Sequence, residues 1–243
     1  MRAHGSILIA PAHDETQPGV LESARSEPPF SIRECDGRVL VAASAAAPVG
    51  GDELMLDIAV LAGARADVGT VASTIVLPGP SGAPSTMTTR CTVGMNAHLH
   101  WHGEPTVSVV GSDHTVTTLV DLDATATCSI VEEVSLGRTD EPSGRLRLIL
   151  RVERGGRPLV HHDELFGPDV PGAGSVVSVG SGRHVLSAVV VGPPAAEPEV
   201  VVDGPLRIAR LRVAPDAVVI LAVGPDRPTV TAAARHHLEQ RRA

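Results

Sequence analysis

The chain has 243 residues, a formal net charge of −8 at pH 7, and 43% hydrophobic but only 1% aromatic residues. So few rings argue against a carbohydrate or single-stranded nucleic-acid platform built on stacking, and the acidic balance argues against nucleic acid generally. No uncharged apolar run reaches the roughly 18 residues of a membrane helix, and three sparse cysteines are typical of a reducing compartment, so we expect a cytoplasmic protein without membrane contact.

Turn-forming residues set the scale of the predicted elements. The 24 glycines and 20 prolines favour many short strands over helices. Residues 1–30 are polar and contain prolines, and we expect them to be partly a loose arm. Residues 54–61 alternate imperfectly between apolar and polar side chains. Residues 145–154 alternate cleanly, which predicts a strand with one buried face whose members are Leu146, Leu148, Leu150 and Val152.

The last quarter of the chain predicts one buried strand and one helix. Residues 217–223 are apolar on both faces and indicate a central strand. Pro228 and Thr229 supply helix start signals, and the stripe that follows consists of Val230, Ala233, Ala234 and Leu238. We therefore predict an all-β protein with a C-terminal helix, organised as a single domain over residues 1–243.

A weak internal repeat refines the predicted architecture. Residues 58–68, 91–101 and 119–130 each have a strand, a tight turn, an alanine and a second strand; the alanines are Ala64, Ala97 and Ala124. This spacing indicates stacked strand–turn–strand layers, as in a β-solenoid or a pair of stacked sheets.

A histidine-rich stretch, "HLHWH" at 98–102, is the clearest candidate for metal chemistry. On a strand, His98, His100 and His102 point to one face, and Glu104 continues that row. The spacing also resembles the first metal motif of cupins, which would make the chain a metal-dependent enzyme. Arg147, however, occupies the place of the further histidine, and a guanidinium does not ligate a cation. The alternative is a strand whose histidines face water.

The order of four other blocks resembles the urease accessory protein D family (also called H), in its actinobacterial branch. "AASAAAPVGGDELMLDIAVLAGARADVGTVASTIVLPG" at 42–79 looks like the family's opening. "EPTV" at 104–107, "VEEVSLGR" at 131–138 and "GGRPLVHHDEL" at 155–165 resemble later blocks. The histidine triplet is not a family-wide feature, so a metal role there is particular to this chain.

The resemblance implies a solenoid-like, non-catalytic scaffold for urease maturation. With accessory proteins F and G, the latter a GTPase that carries nickel, such a subunit docks on apo-urease and lets Ni²⁺ reach the buried metal site. It has no stably bound cofactor, because nickel in transit needs weak ligands in series. The implied partner or transit candidates are Asp52, Arg65, Glu104, Glu133 and Arg138, and weak metal ligation is assigned to His98, His100 and His102. A β-scaffold adaptor without a metal connection remains a further alternative.

The adjacent glutamates of "CSIVEEV" at 128–134 sharpen one of these expectations. Successive strand residues face opposite ways, so either Glu132 or Glu133 points inward. A buried carboxylate is costly unless it is paired, hydrated or facing a metal. We predict that Glu133 is the inward one, with Arg138 holding the turn or pairing with it.

Overall fold

A computed structural model of the chain describes residues 1–14, 17–175, 178–192 and 197–239. In this part of the chain, the strands form two stacked sheets, and one helix follows the last strand. The elements are β1 Arg2–Ala10, β2 Val20–Arg25, β3 Phe30–Cys35, β4 Arg38–Ala43, β5 Glu53–Val60, β6 Arg65–Thr70, β7 Thr74–Val76, β8 Ser85–Val93, β9 His98–His102, β10 Thr106–Ser108, β11 Asp113–Leu122, β12 Thr127–Leu136, β13 Arg145–Arg154, β14 Arg157–Phe166, β15 His184–Val191, β16 Glu199–Asp203, β17 Leu206–Ala214, β18 Ala217–Gly224 and α1 Arg227–Glu239.

The chain winds between the two sheets in successive layers. The seven-stranded sheet has the order β14-β13-β11-β8-β5-β1-β2, in which β1, β5, β8, β11 and β13 are parallel. The eleven-stranded sheet contains the parallel run β4-β6-β9-β12 and continues through antiparallel β15, β18, β17 and β16. This is a β-solenoid-like stack, and the predicted all-β class with a C-terminal helix is confirmed.

Three equivalent turns connect the sheets and fix the register of the layers. In each, the backbone N–H of an alanine donates to the carbonyl three residues earlier, at 3.0 Å for Ala64 and Ala97 and at 3.1 Å for Ala126. All three alanines are buried, at 0, 1 and 2% exposure. The third member of the repeat is therefore Ala126, and the predicted Ala124 is wrong because it lies on the exposed corner of its turn.

Side chains at the same height in successive layers stack into columns. One column runs through Ile7, Ile58, Cys91, Val120 and Val152, which are Cα partners in register and are all at most 3% exposed. Burial of such a column removes apolar surface from water in every layer and supplies most of the stability. The predicted buried face of residues 145–154 is confirmed.

The helix covers the opposite face of the eleven-stranded sheet. Val230 and Ala234 are fully buried there, with Ala233 and Leu238 packed beside them. Strand β18 accordingly has apolar neighbours on both faces, since Val219 belongs to the core between the sheets and Ile220 to the core under the helix. Both C-terminal predictions are confirmed. Within the described chain, no helix combines the length and hydropathy needed to cross a membrane.

Two strands, β1 and β2, lie within residues 1–30, the segment expected to be partly a loose arm. Strand β1 pairs in parallel with β5 and in antiparallel with β2, and its Ile7 and Ile9 are 2% and 1% exposed. The alternation of apolar and polar residues in "RAHGSILIA" is weak because glycine, alanine and serine occupy several of its positions. The remaining apolar side chains are nevertheless sufficient to form a strand once the neighbouring strand supplies the hydrogen bonds.

Prediction for the core. Leu122→Ala should lower the free energy of unfolding by about 2 to 5 kcal/mol, because Leu122 is fully buried in the stack and its truncation leaves a cavity. Leu61→Ala is the matched control, since Leu61 is 41% exposed at the turn before the next layer, and it should change stability by less than about 1 kcal/mol. Urea unfolding followed by circular dichroism measures both; equal losses would contradict the layered core.

Candidate functional site

The histidines of β9 point away from the core. Leu99 and Trp101 are buried between the sheets at 0% and 6% exposure, so His98, His100 and His102 share the outer face, as predicted. The Nδ1 atom of His98 lies 2.8 Å from the hydroxyl of Thr127. Burial first, and the adjacent positive charge of Arg65 second, lower the pKa of His98 to about 4. His98 is neutral at pH 7, but Arg65 opposes the approach of a cation.

Glu133 is the centre of a network on this outer face. Its Oε1 lies 2.7 Å from Nε2 of His102, and its Oε2 lies 3.0 Å from Nε2 of His184. Arg227 donates from Nε to the same Oε2 at 2.9 Å and from Nη1 to Oε2 of Glu104 at 2.7 Å. Four elements, β9, β12, β15 and α1, thus converge on one buried carboxylate.

The charge of Glu133 is stable in this setting. Burial by itself would raise the pKa of the carboxyl, but the hydrogen bonds from His102, His184 and Arg227 outweigh burial and hold it well below its usual range. The carboxylate is only 3% exposed. It is therefore ionised at neutral pH and depends on its partners to remain so.

The β12 ladder is interrupted at the two glutamates. Residues 127–131 pair with β9 and residues 134–136 with β10, so Glu132 and Glu133 have no strand neighbour on that side. The chain bulges out there through Gly103, Glu104 and Pro105, which lie between β9 and β10. A cavity of about 370 Å³ is lined from both sides of this gap, with Glu104 and Glu133 at its outer end and Glu132 inside.

The inner end of the cavity holds two polar atoms without a hydrogen-bond partner among the described residues. They are Oε2 of Glu132 and Nε2 of His114, on side chains that are 8% and 1% exposed. Thr118 donates to the other oxygen of Glu132, and Ser85 contacts Nδ1 of His114 at 2.8 Å. Desolvation raises the pKa of Glu132 to about 7, and desolvation lowers that of His114 to about 4.

A short polar path continues from Glu132 toward the edge of the seven-stranded sheet. Ser187 is the strand partner of Glu132, and its hydroxyl lies 3.2 Å from Nδ1 of His162. Nε2 of His162 lies 3.3 Å from Glu164, whose side chain is 36% exposed. The bond to Glu164 raises the pKa of His162. Polar groups therefore extend from the gap across the sandwich to its surface.

The structure brings together only part of the predicted site. Glu104, Glu133 and His102 lie in one network. Asp52 is elsewhere and accepts the N–H of Val49 and the amino group of Met1.

One detail of the prediction for the adjacent glutamates is wrong. Glu132 faces the core between the sheets, whereas Glu133 is buried on the opposite face, where His184 of β15 and Arg227 of α1 contact it. Of the two roles predicted for Arg138, the structure shows the first, because Arg138 holds its turn through two 2.8 Å bonds to Glu141.

The cupin-like alternative is also wrong. His98 and His100 lie on the outer face of the eleven-stranded sheet, whereas Arg147 lies on the outer face of the other sheet, paired with Asp163 at 2.6 Å. No fourth ligand can reach the histidines from that position. Among the described residues, no group of three or more His, Cys, Asp or Glu side chains is arranged to hold a metal ion. Weak ligation by His98, His100 and His102 remains a prediction.

Sequence reasoning missed His114, His184 and Arg227. The sequence feature that could have identified Arg227 is its position at the start of a helix. A positive charge there opposes the helix dipole, so nearby carboxylates are expected to stabilise it. Asp226 provides the normal cap, accepting the N–H of Thr229 at 2.9 Å. His114 and His184 interrupt apolar strands, but their partners lie in distant segments that no local pattern reveals.

Comparison with known proteins shows a family match over nearly the whole chain. The family described as UreD urease accessory protein matches residues 4–240. Urease accessory protein UreD 2 of Saccharopolyspora erythraea is 37% identical over 196 residues, which cover 78% of this chain and 69% of that protein. UreD of Streptomyces coelicolor is 36% identical over 216 residues, or 85% of this chain and 84% of that protein.

Coverage of other relatives is lower. UreD of Frankia casuarinae is 39% identical over 158 residues, which are 61% of this chain. The match spans only half of that relative's length, at 50%.

Prediction for Glu132. In the folded protein this carboxyl keeps its proton up to about pH 7, against 4.5 for a free side chain, so the folded state binds more protons and loses stability as pH rises through that window. Glu132→Gln removes the effect. The free energy of unfolding of the variant, relative to that of the parent, should therefore increase between pH 5 and pH 8 by on the order of 2 kcal/mol.

Urea unfolding at both pH values measures this difference. His98 and His114, whose pKa values are lowered, shift stability in the opposite sense, but they are present in both proteins and cancel. A difference between variant and parent that does not change with pH would show that Glu132 is ionised throughout.

Prediction for the histidine triplet. The parent should bind Ni²⁺ or Zn²⁺ weakly and reversibly, and changing His98, His100 and His102 together to Ala should reduce that binding without loss of fold. The three side chains are on the outer face, so packing between the sheets is untouched, and Glu133 keeps His184 and Arg227 as partners when His102 is lost. Isothermal titration measures the affinity; a triple variant that binds as well as the parent would leave the triplet without a metal role.

Proposed function

The chain belongs to the UreD urease accessory protein family, and on that premise we propose that it is a non-catalytic scaffold for the insertion of nickel into apo-urease. It acts with accessory proteins F and G, the second being the GTPase that carries nickel, and it works in the cytoplasm. Nickel is its cargo in transit. The relatives are named as accessory proteins and not as enzymes, which supports the non-catalytic part of the proposal.

The gap at Glu132 and Glu133 is the observation that carries this proposal. It offers carboxylates and imidazoles on both sides of a sheet, with Glu133 and Glu104 outside and Glu132 and His114 inside. Ni²⁺ accepts both ligand types. A ligand set that is split across a gap binds Ni²⁺ weakly at each position. The passage of an ion requires such weak binding sites in series.

The cavity is large enough for a hydrated ion. An ion with six waters occupies on the order of 200 Å³, taking about 30 Å³ for each water, and the cavity has about 370 Å³. The orphaned Oε2 of Glu132 and Nε2 of His114 would take the hydrogen bonds of its waters or bind the ion directly. A buried polar atom without a protein partner costs free energy, so an occupant of this kind would also stabilise the site.

The protonation of Glu132 suits release as well as capture. A carboxyl with a pKa of about 7 exchanges a proton and a cation at similar cost near neutral pH, because both compete for one charge. A permanently ionised carboxylate in a closed ligand set would hold Ni²⁺ longer. The polar path through Ser187 and His162 to Glu164 leads from this point to the surface.

Prediction for nickel delivery. The variant Glu132→Gln is co-expressed with urease and its other accessory proteins at limiting nickel. The urease activity should then be several-fold lower than with the parent, and excess nickel should restore part of that activity. The amide keeps the shape and removes the charge, and urea unfolding at pH 7 verifies that the variant is folded. Urease activity per urease protein, with nickel content by mass spectrometry, is the measurement.

Glu153→Gln is the matched control, since Glu153 is an exposed residue of β13 and should leave activation at the parent level. If Glu132→Gln activates urease like the parent at limiting nickel, the passage does not run through this cavity. If removal of the whole chain leaves activation unchanged, the scaffold role itself is wrong, and an adaptor without a metal connection is the better reading.

A further inference from the structure

Arg227 lies where a metal ion would be expected from the surrounding side chains. Its guanidinium is held by Oε2 of Glu133 at 2.9 Å and by Oε2 of Glu104 at 2.7 Å. Nε2 of His102 and Nε2 of His184 meet the same Glu133 at 2.7 and 3.0 Å. Two carboxylates thus bind one positive charge, which the protein itself supplies, and two imidazoles contact the carboxylate of Glu133.

We propose that Arg227 masks a divalent-cation site formed by Glu104, Glu133, His102 and His184, and that the site opens when the first turn of α1 moves away. Carboxylate oxygen and imidazole nitrogen together suit borderline ions such as Ni²⁺ and Zn²⁺. The inference rests on the proposed function and extends it, because it gives the outer end of the cavity a regulated ligand set.

The position of Arg227 in its helix supports a role beyond helix stability. It is the first residue of α1, where a positive charge opposes the helix dipole, and Asp226 already caps the helix. The arginine therefore destabilises the first turn of the helix, and its favourable contacts are with the carboxylates of Glu104 and Glu133 outside the helix. Its side chain is 37% exposed, so it can leave without disrupting the buried core under Val230 and Ala234.

An independent observation on the other side of the gap points to a ligand. Oε2 of Glu132 has no partner among the described residues, belongs to a side chain that is 8% exposed, and lines the same cavity as Glu104 and Glu133. A cation that replaces the guanidinium at the outer end would approach this carboxyl through the gap. The masked site and the inner site are thus successive positions of one path.

The mask also accounts for the lack of an assembled metal site in the described residues. A guanidinium and a divalent cation compete for the two carboxylates, because like charges a few ångströms apart repel each other. With Arg227 in place, no group of three such ligands is arranged for a metal. Removal of Arg227 leaves Glu104, Glu133 and the two imidazoles of His102 and His184 without the guanidinium, which is a ligand set with an open position.

The competing explanation is an ion-pair network with no ligand. In that case the loss of Arg227 would leave Glu133 bound to His102 and His184 as before, and metal affinity would not change. The two explanations predict different results in a direct titration of the free protein.

Prediction for the masked site. Arg227→Gln should bind Ni²⁺ at one site at least about tenfold more tightly than the parent at about pH 7.5, where free imidazole is neutral, since a repelling charge has gone. Arg227→Lys keeps the charge and should bind like the parent. Glu133→Gln added to Arg227→Gln should abolish the gain. Isothermal titration of the purified full chain measures all four proteins.

Arg212→Gln is the matched control, because it removes a surface arginine that pairs with Glu197 at 2.6 Å, away from the cavity. Equal Ni²⁺ affinity in Arg227→Gln and Arg212→Gln overturns the masked site, and it does so without touching the nickel-delivery test of Glu132. Circular dichroism and urea unfolding verify that each variant keeps its helix.

A second measurement uses the parent and does not depend on the stability of any variant. Zn²⁺ is diamagnetic, so the Nε–H resonance of Arg227 can be followed by NMR as Zn²⁺ is added into the millimolar range. Displacement by the ion should move this resonance toward that of a free guanidinium and expose its proton to solvent exchange. A resonance that is unmoved while Zn²⁺ binds elsewhere overturns the proposal.

Discussion

In-register stacking of parallel layers is the constraint on which the rest of this structure depends. The equivalent turns at Ala64, Ala97 and Ala126 place each strand directly beside its counterpart in the next layer, so every inward position becomes part of a column. Where all members of a column are apolar, as from Ile7 to Val152, the sandwich is dry. Where Thr118 and Glu132 enter, the interior becomes polar, and a cavity replaces close packing.

The site arises from a local failure of that stacking. Strand β9 ends at His102, and β10 resumes at Thr106, so the adjacent Glu132 and Glu133 lose a neighbour on one side. Because the strand has a period of two, these adjacent carboxylates open to opposite faces of the sheet at one gap. The solenoid supplies rigid walls on both sides, and only the three-residue bulge with Glu104 departs from the ladder. The proposed site thus lies at the interruption that the described residues show in the parallel ladder of β12.

The sequence predicted what depends on local periodicity and missed what depends on distant partners. Alternation located the strand at 145–154, and uniform hydrophobicity located β18, because burial of one or both faces leaves a direct pattern. Local sequence could not decide which of Glu132 and Glu133 faces the core between the sheets, since both faces of β12 are covered. One face is covered by the other sheet and the other by side chains of β15 and α1. His184 and Arg227 reach Glu133 across 51 and 94 positions, and only the folded register brings them there.

If Arg227 masks a cation site as proposed, the network around Glu133 links metal affinity to the docking of the helix. If a cation and Arg227 compete for the same carboxylates, any partner that draws the first turn of α1 away must increase the affinity for the cation, and the cation must in turn weaken the docking of that turn by the same free energy. The remaining helix can stay in place, because Val230 and Ala234 anchor it independently in an apolar core. A ligand set that is masked in the free scaffold and exposed in its complex would keep nickel from being captured before the complex has formed.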